Sequence, residues 1–576
     1  MKRRKLKTVI ASSLAALLIL PAALYAEESE SSESASTEQA ESEESGSDTE
    51  VSSESTDAED SAGTKDIGEL KTLHVLAPEG STGKFKLSER HRYHIWDEFE
   101  KLAASFGIKF DIETVSDEQY KNTIQTRLAT GTDLPDFANT NTVGDATLLD
   151  MAKSGQIKNI ANLPELGDGT AKKFFGEGGI GYQSWKLNTF KDGSVYWISQ
   201  IQKSKAEKSG TQLNAQIRTD WLKKVGMEMP QTIDELEAAL KAFQENDVNG
   251  NGSKDEVVTI DFSIFANGVS NWFGLGNSLS SLRIQDGKAD IVSPWHQEGI
   301  KDYFRFLNKL YEEGLIDPQV IGSTEENKNV ENNKASMIYS YTMAVWSEAS
   351  VAGVKDANYL AIDPLKGTEN DPILITVEPG TMSWGRWSFT SHATDDDANA
   401  RLLDMLSSDR YAELTYLGIE GETYVMEGDL PRILPIALHD AYDEAYDKGI
   451  VMGDYLWANG GCFPKRRYPP FVSDDATLKP DKYAYQDKYQ TWPDYVPTDK
   501  NIYLPVPEEE EMEEIRMLST DLDTRSKEIA ASLILGEEDI ENIDMLVEEL
   551  DELGLKKLVE IDNKRLERAK KMGIIS

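Results

Sequence analysis

The loop Asp247-Val248-Asn249-Gly250-Asn251-Gly252-Ser253-Lys254-Asp255-Glu256 sets side-chain oxygens at its first, third and fifth positions. A glycine follows at the sixth for the sharp turn, and the seventh residue offers its backbone carbonyl. That is the front half of a Ca²⁺ loop of the EF-hand type. The twelfth position is Val258, so the bidentate glutamate of a full EF-hand is missing. Asp255 and Glu256 come early enough to close the shell, which makes Asp247, Asn249, Asn251, Ser253, Asp255 and Glu256 the candidate ligands. Oxygen on every side leaves no position open for substrate, so such an ion would be structural. The competing reading is a metal-free turn, because Asn and Gly also favour φ > 0.

Other chemistry is thinner. Six histidines are present, and His91 and His94 lie three apart, but no third ligand has metal-site spacing. There is no phosphate-cradling Gly-Lys-Ser loop, hence no ATPase site within the chain. Among 102 Asp and Glu residues a catalytic acid and base would be paired in space, which spacing along a sequence does not reveal. Eleven Trp and 22 Tyr offer flat apolar faces of the kind that stack on sugar rings, with polar groups at the ring edges to pair hydroxyls. Lys465-Arg466-Arg467 is a basic island in a chain of net charge −42. It reads as a surface cluster paired with carboxylates or as a meeting point for an anionic sugar such as a uronate. Such an acidic chain repels phosphate backbones, which argues against nucleic acid as a partner. The one cysteine, Cys462, excludes an intrachain disulfide and reads as a small buried apolar residue.

The elements that must position these residues begin after an unusual N-terminus. Residues 1–26 read as an export signal: a basic start at Lys2, Arg3, Arg4, Lys5 and Lys7, an apolar run from Thr8 to Leu20, and small residues up to Ala26. The alternative is an uncleaved anchor, since Thr8 to Ala26 is close to the length of a membrane span. Residues 27–66 are almost wholly Ser, Glu, Asp, Thr, Ala and Gly, with no apolar surface to bury, and read as an extended acidic linker.

From Leu70 the pattern changes. Thr72–Ala77 and Lys109–Glu113 read as strands, Tyr93–Phe106 and Glu118–Thr130 as helices, the second stopped by Gly131. This β-α-β-α succession predicts a doubly wound α/β sheet with parallel strands. Thr232 to Asn246 predicts a helix with Thr232 and Glu235 as a capping box. Glu298–Glu313 and Asp397–Leu406 have the same amphipathic spacing. Glu508–Ser576 reads as helical with stops at Gly536 and Gly554, its charge run forming a solvated face.

Several phrases, in order, resemble the extracellular solute-binding proteins of ABC importers, in the large oligosaccharide-binding branch that includes alginate- and maltodextrin-binding proteins. They are Gly131-Thr132-Asp133-Leu134-Pro135-Asp136; Ile217-Arg218-Thr219-Asp220-Trp221-Leu222 with Gly226 and Pro230-Gln231-Thr232; Tyr311-Glu312-Glu313-Gly314-Leu315-Ile316-Asp317-Pro318; Gly418-Ile419-Glu420-Gly421 with Tyr424; and Ile534-Leu535-Gly536 with Leu553-Gly554. They span roughly residues 70 to 570. The lipidated cysteine that most Gram-positive members carry after the signal is absent.

The resemblance implies a two-lobed, periplasmic-binding-protein-like fold of type II with C-terminal helices and a ligand cleft between the lobes. Lobe 1 would hold about 67–198 and 380–455, and lobe 2 about 203–372 and 456–576, with crossings near Tyr196–Gln202 and Ile373–Trp387. Lys334–Ile338 and Tyr359–Ile362 read as strands preceding the second crossing. The calcium loop is similar to one that holds a structural calcium in alginate-binding relatives. Trp346 corresponds to a sugar-contacting tryptophan loop in maltodextrin-binding relatives. Trp384 and Trp387 flank Arg386 on the second crossing, and Trp272 and Trp457 are further stacking candidates. Asp136, Arg218 and Tyr424 are the polar candidates, with a lobe-internal salt bridge as the other reading of Arg218. The implied function is capture of a carbohydrate by an exported monomeric receptor that serves the permease subunits of an ABC importer. The rivals are a secreted polysaccharide-degrading enzyme and a surface glycan-adhesion module.

Overall fold

The computed structural model describes residues 69–79, 86–92, 94–202, 213–285, 288–322, 326–341, 354, 357–368, 382–428, 430–433, 463–464, 466–467, 472–473 and 504–574. The chain divides into Met1–Thr64 and Lys65–Ser576. The first unit, with the expected signal and most of the linker, lies outside the described residues. No helix among the described residues is long and apolar enough to cross a membrane.

The strands, in chain order, are β1 (Lys71–Pro78), β2 (Ile108–Val115), β3 (Phe137–Asn139), β4 (Ile198–Gln202) and β5 (Leu213–Arg218). There follow β6 (Val257–Val258), β7 (Ser281–Gln285), β8 (Lys288–Val292), β9 (Ala335–Tyr341) and β10 (Tyr359–Ala361). The last are β11 (Met382–Phe389), β12 (Tyr424–Glu427), β13 (Leu430–Ile433), β14 (Arg466–Arg467) and β15 (Val472–Ser473).

Lobe 1 is built on a six-stranded sheet in the order β14-β4-β11-β3-β1-β2. The parallel pairing expected from the β-α-β-α pattern holds for β2, β1 and β3. Helices His94–Ser105 and Asp117–Thr130 connect them, and Gly131 ends the second in the left-handed conformation at φ 67°, where glycine carries no Cβ penalty. Past β3 the sheet turns mixed, because β11 runs antiparallel to both β3 and β4.

Lobe 2 is built mainly on antiparallel pairing. Its sheet has the order β10-β5-β9-β6, with β5 antiparallel to both neighbours and only β6 parallel to β9. The expected capping box is formed: Glu235 N donates to Thr232 Oγ1 at 3.1 Å, and Thr232 N to Glu235 Oε2 at 3.2 Å, at the head of helix Ile233–Glu245. Helix Ile300–Glu312 buries Ile300, Tyr303, Phe304, Leu307 and Leu310 along one face.

The chain passes from the six-stranded sheet to the four-stranded one between β4 and β5 and returns through β11. The later boundary needs correction. Phe463 is fully buried in the lobe 1 core against Phe99 and Phe110, at centroid distances of 5.3 and 4.8 Å, and β14 adds to the lobe 1 sheet. Lobe 1 therefore extends past residue 455, and the final passage to lobe 2 comes after β15.

The C-terminal helices Glu509–Ile534, Ile543–Glu552 and Leu555–Lys571 break near Gly536 and Gly554, at φ 67° and 108°. The first carries Leu522, Ile529, Ala530, Leu533 and Ile534 into the lobe 2 core. Its charges do more than face solvent: Arg568 grips Glu511 with two bonds of 2.7 and 2.6 Å. Burial works to raise the Glu511 carboxyl, but Arg568 and the Glu508 amide outweigh it and hold it below its usual 4.5.

A carboxyl held low in the folded state contributes stability above its unfolded value and loses it as the pH falls through the folded one. Glu511→Gln is therefore expected to cost roughly 1–2 kcal/mol at neutral pH, and the gap to the parent should close as the pH falls below 4.5. Urea unfolding of both proteins at neutral and acid pH checks this.

Candidate ligand-binding cleft

Strand order reverses at β1, with β2 on one side and β3 on the other. In open α/β sheets ligands bind outside the carboxyl ends of the strands at such a switch point. Here that place is the end of β3, where Asn139 leads through Thr140–Gly144 into helix Asp145–Lys153. Strand β11 borders it, because Thr140 N donates to the Arg386 carbonyl at 2.8 Å. The two crossing strands flank the same place, with Trp384 opposite Gln200 of β4.

The floor beneath is polar and internally satisfied. Tyr120 Oη donates to the Asn139 carbonyl at 2.6 Å, and the Thr140 and Ser388 hydroxyls share a 2.9 Å bond. Asn141 N donates to Asn139 Oδ1 at 2.9 Å. Trp197 Nε1 donates to Asn188 Oδ1 at 3.0 Å, and Asn188 Nδ2 to Ser199 Oγ at 2.9 Å. Fully partnered networks of this kind hold buried side chains in one arrangement. On the floor the Arg386 guanidinium forms an ion pair with Asp145 and lies 5.8 Å from the centroid of the Trp197 ring. The pair was not among the sequence candidates. Its available signal was the position of Arg386 between two tryptophans on a crossing strand.

The structure relocates most of the sequence candidates. Asp136 stands at the amino end of β3, opposite the cleft end, and its Oδ2 accepts His74 N at 2.8 Å. Arg218 has no exposed side-chain surface: Asp220 takes it in two bonds of 2.8 and 2.7 Å, Asn333 accepts a third at 2.7 Å, and the Trp221 ring lies 4.2 Å away. It forms the lobe-internal salt bridge that was its other reading. Trp272 is buried in the lobe 2 core and Trp387 in the lobe 1 core, so neither ring has a face left for a sugar. Tyr424 is buried too, and its hydroxyl bonds Glu413. Burial, and then the Glu413 carboxylate, push that phenol above its ordinary range.

Trp384 has its backbone where expected, on β11 at the crossing, but its side chain lies outside the described residues. Trp346 and Trp457 lie outside them entirely, as does Lys465. The basic island is not a surface cluster at Arg466, which is buried, stacks 4.0 Å from the Phe174 ring centroid and donates to the carbonyls of Leu406 and Ser408 at 3.3 and 2.9 Å. Burial pushes its guanidinium down to about 10, so it stays charged at neutral pH.

The loop at Asp247–Glu256 is folded as a set of inward-facing oxygens. Asp247, at φ 45°, accepts Asn251 N and Gly252 N at 3.1 and 2.9 Å, Asn249 Oδ1 accepts Asn251 N at 2.9 Å, and Asn251 Oδ1 accepts Ser253 N at 2.8 Å. Glu256 is only 1% exposed; its Oε1 accepts Asn249 N at 3.0 Å, while its buried Oε2 has no hydrogen-bond partner. An orphaned carboxylate oxygen facing such a loop fits a cation.

Asp255 is committed elsewhere, to Lys334 at 2.8 Å and to the Asn249 and Asn251 amides at 3.0 and 2.9 Å. Burial opposes ionisation of its carboxyl, yet these three partners hold it below its usual range. Among the described residues no three His, Cys, Asp or Glu side chains converge as a metal cluster, so an ion here would depend on amide and backbone oxygens as well. The loop ends in β6, paired with the first residue of β9, whose other end points toward the crossings.

No protein-family model matches the chain. Over 199 residues it is 35% identical to the fructooligosaccharide ABC transporter substrate-binding protein FusA of Streptococcus pneumoniae, a stretch covering 32% of this chain and 35% of FusA. The match thus spans about a third of that relative's length. The solved structure of the S. pneumoniae FusA EF-hand mutant in complex with fructo-nystose is similar with a TM-score of 0.65 at 20% identity, covering 87% of this chain and 100% of that one. The alginate-binding protein AlgQ2 without calcium ion gives a TM-score of 0.60 at 17% identity, covering 87% and 99%.

This chain has the two-lobed solute-binding fold. The resemblance read from its ordered phrases holds, since these relatives are carbohydrate-binding proteins and FusA serves an ABC transporter.

The relocation of Arg218 has a measurable consequence. Removing one partner of a buried, hydrogen-bonded charge pair strands the other, so Arg218→Ala is expected to cost about 3–5 kcal/mol of unfolding free energy. Denaturant unfolding checks it, and a loss under about 1 kcal/mol would show that the pair contributes little to the fold.

Proposed function

We propose that the protein is an exported receptor that captures an oligosaccharide between its lobes and presents it to the permease subunits of an ABC importer. The observation that carries this reading is the similarity to FusA, in sequence over part of the chain and in fold over nearly all of the Lys65–Ser576 unit. The cleft agrees with it: a satisfied polar floor at a strand-order switch, bordered by two crossing strands, suits a ligand rich in hydroxyls. A receptor closes its lobes on the ligand and releases it unchanged.

The ligand class is proposed from the relatives, with fructooligosaccharides first because FusA binds them. Thermal shift and calorimetry with kestose, maltotriose and trigalacturonate test it. One of these is expected to raise the melting temperature and to be recovered intact, while small-angle scattering shows compaction. Cleavage products at turnover would overturn the receptor reading.

The loop at Asp247–Glu256 is proposed to hold a structural Ca²⁺, with Asp247, Asn249, Asn251 and Glu256 as the main side-chain ligands, Ser253 as a further one, and Asp255 acting from outside the shell by holding the Asn249 and Asn251 amides. When bound, the ion would neutralise the buried Glu256 carboxylate and fix the entry to β6. Chelator-treated protein is expected to gain melting temperature on adding Ca²⁺, and Glu256→Gln to abolish most of that gain. An unchanged melting curve across millimolar Ca²⁺ would leave the loop a metal-free turn.

A further inference from the structure

We propose that Arg386 and Asp145 form a single donor-acceptor unit that binds two adjacent hydroxyls of the sugar, and so sets ligand specificity on the lobe 1 wall of the cleft. This rests on the carbohydrate-receptor reading above.

The placement is the first argument. Asp145 opens the helix that follows β3, and Arg386 is joined to the loop between them through Thr140 N. Both side chains therefore stand just beyond the carboxyl end of β3, at the strand-order switch where a ligand is expected. They come from segments 241 positions apart, and only the return of the chain from lobe 2 brings them together.

The second argument is preorganisation. Arg386 is held between a buried neighbour and a glycine whose backbone leaves no room for a side chain. Trp387 is fully buried, and Gly385 takes φ 74° with the Trp387 ring so close that an added Cβ would lie 2.6 Å from it. The guanidinium itself is fixed by Asp145 at one edge and by the Trp197 face. Trp197 is locked in turn by Asn188 and Ser199. An arginine so confined has little rotamer entropy left to lose on binding.

The third argument is what remains available. The Arg386 and Asp145 side chains keep 26% and 29% of their surface exposed, and among the described residues the guanidinium has no other partner. Arginine offers five N–H donors and no acceptor, whereas an ionised carboxylate only accepts. Side by side they present donor next to acceptor. Adjacent ring hydroxyls match that pattern, one accepting from Arg386 while its neighbour donates to Asp145. Because the two charges cancel, the unit suits a neutral sugar and gives no net attraction to a uronate carboxylate. A pair exposed on an ordinary surface would contribute little; here desolvation by the closing lobe strengthens each bond.

The test uses the full chain and calorimetry, with kestose as first probe and the other panel sugars after it. Arg386→Lys keeps the charge but loses the planar fork, and Asp145→Asn keeps the shape but loses the strong acceptor. Each is expected to weaken binding about tenfold or more with a melting temperature near that of the parent, while Arg401→Lys, on the helix Asp396–Ser407, leaves affinity unchanged. In the double variant the loss should fall short of the product of the two single losses, because the residues act as a unit.

Affinity within twofold of the parent in either single variant overturns the proposal. If a variant fails to fold, labelling of parental Arg386 with phenylglyoxal, read by mass spectrometry, replaces it: bound sugar should slow modification several-fold, and unchanged labelling overturns the proposal. A parent that binds no panel sugar removes the receptor reading and this inference with it. A parent that binds while Arg386→Lys binds equally well removes this inference alone.

Discussion

Strand β11 arrives from lobe 2 and inserts antiparallel between β3 and β4, so lobe 1 has neither a closed sheet nor a finished core until the chain has already built part of the other lobe. Its carboxyl end carries Trp387 and Phe389 into the core, the latter edge-on to Phe137 at 4.9 Å. Its amino end lies at the cleft. The register shift between Trp384 and Trp387 separates these roles. Bulges of this kind bend a strand and re-aim a side chain, and here Gly385 in the left-handed region makes the bend possible. The packing that stabilises lobe 1 and the geometry that presents Arg386 thus come from the same eight residues.

The same logic closes lobe 2. Its core is finished by Leu522, Ile529 and Leu533 of the helix Glu509–Ile534, more than 130 residues after the last strand of its own sheet. Each lobe depends on late chain, and non-local contacts of this separation cost loop-closure entropy before they return packing energy. Trp295 shows how tightly the late helix is keyed in: its ring is buried and its Nε1 donates to Ser526 Oγ at 2.9 Å. A buried tryptophan needs such a partner, and the partner is 231 residues away.

This division explains what could be read in the sequence. Local rules worked where the determinant was local: the strand and helix periods around β1 and β2, the stop at Gly131, the capping box of Thr232 and Glu235. The fold itself was legible through ordered phrases rather than through periodicity. The site was not. Trp272 and Trp387 are of a type that serves equally in a core or against a sugar, and only the surrounding packing decides. Arg218 is similar in kind, since its role follows from Asp220 two residues on and from Asn333, which is distant in sequence. The parallel pairing expected from the β-α-β-α succession after Leu70 holds there, where strands alternate with single helices. In lobe 2 the strands β5, β9 and β10 are joined by long excursions and pair antiparallel.

The stretch from residue 504 to the head of the helix Glu509–Ile534 touches both lobes, and its energetics bear on how they are held together. Val506 N donates to the Leu187 carbonyl at 2.9 Å and its side chain packs on a lobe 1 cluster, while Lys191 reaches Glu508 at 2.9 Å and Lys153 pairs with Glu509. Farther along, the same helix is fixed in lobe 2 by Leu522 and Leu533. The ion pairs are well exposed, so each contributes at most about 1 kcal/mol and is screened by salt. A micromolar ligand supplies about 8 kcal/mol. That exceeds what the exposed pairs can oppose, so in the proposed receptor they would not lock the lobes against closure.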